Sequence, residues 1–156
     1  MAEEPLLSVP TKQYLAFCLG DEHYGIDILR VQEIKRWRSV ALVPNTPDAV
    51  CGVINMRGAI IPVVDLRIRF EMVKKKPAPT TVIIVLSVEE NQMSRTMAIV
   101  VDSVSDVDDI NLNDIKPSPD FGDRVETAYI SGLVTSKGKM MMLLDIDLLL
   151  ATEALA

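Results

Sequence analysis

Short apolar runs recur along this chain at roughly 8–12-residue spacing, each ended by a polar or glycine-bearing turn. Tyr14–Leu19 (Y-L-A-F-C-L) reads as a strand, Gly20-Asp21-Glu22-His23 turns it, and Tyr24–Ile26 begins the return. Val40–Val43 predicts a further short strand. Pro44-Asn45-Thr46-Pro47-Asp48 reads as a turn, with Asp48 able to open one helical turn. Thr81–Val88 and Arg95–Val101 are strands about the polar turn Glu89–Ser94, and Ser103–Ile110 carries Val104, Val107 and Ile110 as a strand or a short turn. Tyr129–Ser136 and Lys139–Leu144 form a late hairpin. Helical signals are fewer. Asp27–Trp37 predicts a short helix: Asp27 can cap it, Ile28, Val31 and Ile34 fall on one stripe, and Arg30 and Glu33 lie opposite. Ile26 and Ile28 also alternate, so an extended reading stays open there. Asn111–Asp114 predicts a single helical turn, and Asp145–Ala154 a terminal helix opened by Asp145 or Asp147. Many short strands so spaced argue for small barrels rather than a doubly wound sheet.

The pattern centres on Val50–Ile68 (V-C-G-V-I-N-M-R-G-A-I-I-P-V-V-D-L-R-I). The β-branched runs Val53–Ile54 and Ile60–Val64 flank the turn Asn55–Gly58, where Gly58 supplies the positive φ a tight hairpin needs and Arg57 stands at the tip. Pro62 has no N–H to donate, which predicts an edge strand or a bulge. The stretch recurs: Ile130–Leu148 lies under it, shifted by 80 positions without a gap, so Gly52 meets Gly132, Arg57 meets Lys137, Gly58 meets Gly138 and Asp65 meets Asp145. A weaker echo, shifted by 73, sets Val31-Gln32-Glu33-Ile34 against Val104-Ser105-Asp106-Val107. Chance likeness of two hairpins is the alternative, and the ungapped length favours a duplication. We therefore expect two similar lobes, the first about residues 13–72 and the second about 80–152, with Glu71–Thr80 between them and residues 1–12 a flexible tail broken by Pro5 and Pro10.

Composition narrows the class. With 156 residues, 49% of them hydrophobic but only 4% aromatic, the core must be aliphatic and methionine-filled. No apolar run reaches the roughly 18–20 residues that span a bilayer, and the acidic start Met1-Ala2-Glu3-Glu4-Pro5 argues against export. A net charge of −6 disfavours non-specific binding to nucleic acid or anionic membrane. The one basic cluster, Lys74-Lys75-Lys76, reads as an exposed loop. Cys18 and Cys51 sit in apolar runs outside any metal spacing and read as buried thiols.

Candidate chemistry is sparse. His23 is the lone histidine and lies in a turn. Asp102, Asp106, Asp108 and Asp109 lack the spacing of a calcium loop and read as solvated carboxylates. Asp65 and Asp145 can be imagined as an acid/base pair, but each sits where a helix or turn begins, so capping explains both. Met140-Met141-Met142 reads as core filling rather than as an adaptable surface. Phe121, in a polar loop between Pro119 and Gly122, is either folded onto a core or an interface anchor.

Asn55-Met56-Arg57-Gly58-Ala59-Ile60-Ile61-Pro62-Val63-Val64-Asp65-Leu66-Arg67 resembles the N-L-R-G-x-I-I-P-V-x-D-L-R signature of CheW-like chemotaxis coupling proteins. Tyr24–Ile34 is similar to that family's Y-G-x-x-I-x-x-V-x-E-I segment. Pro44–Pro47, Ile99–Val104 and Lys116–Pro119 fall where the family has counterparts. The likeness runs from about Gln13 to Leu150, and Met56 in place of Leu conserves volume. The resemblance implies that residues 13–152 are a mostly β, CheW-like domain of two fused, SH3-like five-stranded barrels with short helices. It implies no catalysis, cofactor or metal. It implies an adaptor between the cytoplasmic tip of methyl-accepting chemotaxis receptors and the regulatory domain of the histidine kinase CheA, cytoplasmic and recruited to receptor arrays at the inner face of the membrane. By that likeness Val31, Glu33, Ile34, Arg57 and Val104 serve the receptor. Asn45, Thr46, Arg57, Gly58, Lys116 and Phe121 serve the kinase. The alternatives are a regulatory module of the same fold in another histidine-kinase pathway, an enzyme using Asp65 and Asp145, and a single-stranded nucleic-acid binder. The last is disfavoured by the acidic balance and scarce aromatics.

Overall fold

The longest apolar runs, in β1, β6 and β7, are strands with both faces buried. A computed structural model of the chain describes residues 9–38, 40–41, 49–70, 72, 77–117 and 129–151. Among them are ten strands: β1 (Thr11–Leu19), β2 (Glu22–Asp27), β3 (Val31–Arg36), β4 (Val50–Met56), β5 (Ala59–Asp65), β6 (Val82–Glu90), β7 (Met93–Val101), β8 (Ser103–Asn111), β9 (Ile130–Ser136) and β10 (Lys139–Leu144). Two four-residue helices, α1 (Leu66–Arg69) and α2 (Ile146–Leu149), follow β5 and β10.

The strands form two five-stranded sheets, ordered β8-β1-β2-β10-β9 and β3-β6-β7-β5-β4. Each curls into a barrel. The chain beyond β3 returns onto β4 through paired backbone bonds between Ala41 and Val53, and the chain beyond β8 returns onto β9 through the same bonds between Lys116 and Leu133. Along β6, Ile83 and Val85 fill one barrel's interior while Ile84, Leu86 and Val88 face a larger cluster between the sheets. Along β1, Tyr14 and Ala16 fill the other barrel, and Leu15, Phe17 and Leu19 join the central cluster.

The sequence repeat is real in three dimensions. Arg57 and Gly58 turn β4 into β5 with φ of 52° and 87°, and Lys137 and Gly138 turn β9 into β10 with 53° and 80°. Asp65 caps α1 and Asp145 caps α2. The lobes, however, do not divide at residues 72–80. β1 and β2 complete a sheet with β8, β9 and β10, while β6 and β7 complete the other with β3, β4 and β5. A 3-10 turn at Ile28–Arg30 carries the chain out of the β1–β2 hairpin, and β3 then pairs with β6 of the second half. After β7, β8 likewise pairs with β1. Two parallel seams, β5 on β7 and β10 on β2, stitch the halves together.

Three further expectations change. The helix over Asp27–Trp37 is reduced to that 3-10 turn, capped by Asp27 accepting from the Leu29 N–H at 2.9 Å, and the rest is β3. Its stripe at spacing three has another origin: a bulge between Val31 and Glu33 puts Val31 opposite Leu86 and Ile34 opposite Ile84, on one face. Pro62 lies on an internal strand opposite Val53; β5 begins pairing with β7 only at Val63, so its missing N–H breaks no bond there, and the expected bulge is in the partner strand β4, between Val50 and Gly52, across from Val63 and Val64. The terminal helix stops at Leu149, and residues beyond 151 lie outside the described ones.

Two ion pairs brace the crossings between halves. Arg67, buried at the head of α1, reaches Asp65 and Asp102, each at 3.3 Å, and Asp102 also accepts from the Gly20 N–H at 2.7 Å. At the position repeated from Arg67 stands Asp147, which takes Arg30 in a two-pronged pair at 2.7 and 2.8 Å. The charges are reversed but the design is shared. The hydrogen bond from Arg30 holds the Asp147 carboxyl below its ordinary range.

These braces and close approaches give two expected outcomes. A Cβ at Gly52 would stand 2.3 Å from the Ala41 carbonyl oxygen at φ +152°, whereas one at Gly132, without a left-handed φ, would meet Ile115 Cγ2 at 2.5 Å and the Lys116 carbonyl oxygen at 3.1 Å. Urea unfolding should show Gly52→Ala losing about 3 kcal/mol and Gly132→Ala about 1 kcal/mol. Equal losses would mean that the Ala41 bridge yields. The depressed Asp147 carboxyl contributes stability that is present above its unfolded pKa and lost as pH falls through its lower folded value. Stability should therefore decline below about pH 4, and Arg30→Leu should flatten that part of the profile while lowering stability at neutral pH.

Candidate functional site

β3 is an edge strand whose bulge sorts its side chains into two functions. Val31 packs on the central cluster, and Ile34, on the same face, is 43% exposed. Glu33 and Lys35 point the other way, opposite Val85 and Ile83. There Glu33 is held by Lys35 at 3.0 Å and by Arg57 at 3.1 Å. The Lys35 hydrogen bond first, and Arg57 after it, draw the Glu33 carboxyl below its ordinary range. Arg57 leaves three-quarters of its side chain in solvent. Its left-handed backbone is set by the hairpin turn, which the Gly58 N–H closes by donating to Asn55 Oδ1 at 3.0 Å.

The second half repeats the arrangement. In β8 a register shift sets Val104 opposite Phe17 and Val107 opposite Leu15, so both face the central cluster. Val104 packs on it, and Val107 is 45% exposed. Asp106 takes Lys137 at 3.2 Å, as Glu33 takes Arg57, and the buried Asp108 takes the same lysine at 3.0 Å. Donation to the Asp108 carboxylate and then to Asp106 raises the Lys137 pKa. The structure thus sets Val31, Ile34 and Val104 along the flanks of the inter-barrel core, and joins Glu33 to Arg57. Val107, which the shift of 73 pairs with Ile34, takes the matching half-exposed position on β8.

The remaining named residues are dispersed. Gly58 is exposed on the tip of one barrel. Lys116 closes the other, beside a cleft it shares with Asp114, Leu133, Thr135 and Met140. Asn45, Thr46 and Phe121 lie outside the described residues. Asp65 and Asp145 are each committed to a helix N-terminus, accepting from the Arg67 and Leu148 N–H groups. Asp106 and Asp109 are exposed, as expected of solvated carboxylates, whereas Asp102 and Asp108 are largely buried and ion-paired, because the folded turns bring Arg67 and Lys137 to them. No group of three metal-ligating side chains occurs among the described residues, and none of their helices is long and apolar enough to cross a membrane. His23 contacts the Cys18 sulfur at 3.4 Å. Met141 fills a barrel as expected, while Met140 is exposed.

The described residues thus form two fused five-stranded barrels, with ion-paired hairpin tips and apolar flanks along their shared core. Residues 13–154 match the CheW-like domain, and the chain belongs to that family. It is 43% identical over 145 residues to the chemotaxis protein CheW of Klebsiella aerogenes, covering 93% of this chain and 85% of that one. It is 34% identical over 142 residues to the chemotaxis protein CheW of Rhizobium meliloti, covering 91% and 89%. The crystal structure of the scaffolding protein TtCheW from Thermoanaerobacter tengcongensis superposes with a TM-score of 0.81 at 31% identity, over 93% of this chain and 96% of that chain.

Because Arg57 is mostly solvent-exposed, its pair with Glu33 contributes little to folding. Thermal and urea unfolding of Arg57→Ala should differ from wild type by less than about 0.5 kcal/mol. A larger loss would make Arg57 a structural residue of the turn.

Proposed function

We propose that this chain is a non-enzymatic adaptor that couples the cytoplasmic tip of chemoreceptors to the histidine kinase CheA, in the cytoplasm and at receptor arrays on the inner face of the membrane. The observation that carries this reading is the pairing of exposed apolar flanks with a pre-formed ion pair, in a chain related to chemotaxis CheW proteins. A receptor tip is a helical hairpin, and a helix laid in a groove needs aliphatic contacts with a few charges setting its register. Val31, Ile34 and Val104 supply the first, joined by the repeat-related Val107. Glu33 and Arg57 supply the second. Lys35 helps keep Glu33 ionised, so the rim carries a fixed charge pattern near neutral pH.

The kinase regulatory domain, of like fold, would meet the hairpin tip at Arg57 and Gly58 together with the Asn45–Thr46 turn. Association of like barrels through strand ends and edges uses main-chain pairing around aliphatic side chains. Lys116 and Phe121 would form a second, separate kinase contact on the other barrel. Arg57 belongs to both sets, which suits a residue that holds receptor and kinase in one geometry.

Calorimetric titration with a receptor tip fragment, and separately with an isolated CheA regulatory domain, tests the adaptor. Saturable binding to both is expected. Glu33→Arg should weaken the receptor arm by about tenfold, or 1.4 kcal/mol, and spare the kinase arm. Binding to neither partner would overturn the reading. In reconstituted arrays Arg57→Ala should leave a folded protein that no longer controls the kinase, and normal kinase activation by it would remove Arg57 from the mechanism. Phe121→Ser should keep binary receptor binding and reduce array assembly; loss of folded protein instead would make Phe121 a core residue.

A further inference from the structure

Neither half of this chain can close a sheet alone. β1–β5 hold hydrogen-bonding edges that only β6–β10 satisfy: β1 against β8, β2 against β10, β3 against β6 and β5 against β7. Yet the halves are covalently joined at one crossing, residues 70–81 between α1 and β6. We propose that a second copy of this chain can supply either half. The product is a strand-exchanged dimer in which β1–β5 of each copy complete both sheets with β6–β10 of the other.

The occupant is a second copy because the register is specific to this sequence. Gln13 stands opposite Asp109, and Lys35 opposite Ile83. The braces across the halves are equally specific: Arg30 with Asp147, Arg67 with Asp102, and Arg69 donating to the Leu149 carbonyl at 3.4 Å. Every one of these contacts is rebuilt in the exchanged dimer. Phe70 and Met72 stay packed with the first half and the Ala78–Thr81 turn with the second, so monomer and dimer differ only in which copy residues 73–77 lead to and in the freedom lost when two chains become one particle. The connector's composition lowers the cost of an open path. Lys74, Lys75 and Lys76 repel one another, and Pro77 biases the residue before it away from helix. Closure within one chain competes with an effective concentration on the order of millimolar, so exchange belongs to concentrated chain. Once formed, the dimer reverts only by unfolding both sheets.

The proposal does not depend on the adaptor reading, and its test uses no partner. In full-length chain carrying Cys18→Ala and Cys51→Ala, Gln13→Cys with Asp109→Cys places a thiol pair across the halves on two exposed, directly opposed positions. Asn55→Cys with Ile60→Cys places a control pair within one half. Each protein is refolded from denaturant at rising concentration up to about 1 mM, then oxidised and run on a non-reducing gel. The cross-half pair should give covalent dimer, and its dimer-to-monomer ratio should rise about tenfold for each tenfold in chain concentration. The control pair should stay within single chains. The unsubstituted chain, refolded at the highest concentration and diluted, should sediment in part as a dimer. Crosslinks confined to single chains at every concentration would overturn the proposal. So would equal covalent dimer from Gln13→Cys alone, which would indicate ordinary side-by-side association.

Discussion

The parallel seams between β5 and β7 and between β10 and β2 are the constraint on which the molecule rests. Each joins a strand from one half of the chain to a strand from the other, so neither barrel exists until both halves are present. Parallel pairing gives no short hairpin between its strands and rewards the chain only after a long loop has closed. The largest apolar cluster offsets that cost. It gathers Leu15, Phe17, Ile26, Val64, Ile84, Leu86, Ile99 and Leu149 from both sheets into one interior. Fusion of the two barrels is therefore a consequence of the exchange. Separating them would expose that interior and break both seams.

Exchange also explains the exposed apolar flanks. An edge strand that leaves its own hairpin to join the other sheet must cross the boundary between barrels, and β3 and β8 both do so. Their bulges turn Val31 with Ile34, and Val104 with Val107, toward that boundary. The core itself thus supplies two matched apolar flanks. Beside each flank a hairpin tip is tied down by a carboxylate on the same edge strand: Arg57 by Glu33, and Lys137 by Asp106. The two rims differ where duplication has diverged. The first carries a long, planar guanidinium mostly in water. The second carries a lysine, also mostly in water, held by two carboxylates, Asp106 and the buried Asp108.

Charge has diverged at the braces as well. Arg67 and Asp147 occupy repeated positions with opposite sign, and each has found an opposite partner across the halves. The geometry of the crossing is what both preserve. This makes the braces a register device: they penalise pairing of a half with another copy of itself, because Arg67 would then face Arg30 and Asp147 would face Asp102.

Much of this was legible in the chain by itself. The hairpin at Arg57–Gly58, its ungapped repeat at Lys137–Gly138, the capping aspartates and the small-barrel class all follow from local chemistry: glycine at a left-handed position, carboxylates before short helices, and β-branched runs of strand length. The motif around Arg57 likewise carried the family. Three things only the tertiary structure decided. Periodicity along Asp27–Trp37 pointed to a helix, because a bulged strand and a helix both place apolar residues three apart, and only the partner strand β6 distinguishes them. Pro62 pointed to an edge or a bulge, because the chain cannot say at which residue a neighbour begins to pair; the strand is internal, and the bulge lies in its partner β4. The repeat pointed to one lobe per half, because sequence similarity records which segments are alike and not which of them meet. That choice lies in long-range pairing and in burial of a shared core, and no local signal contains it.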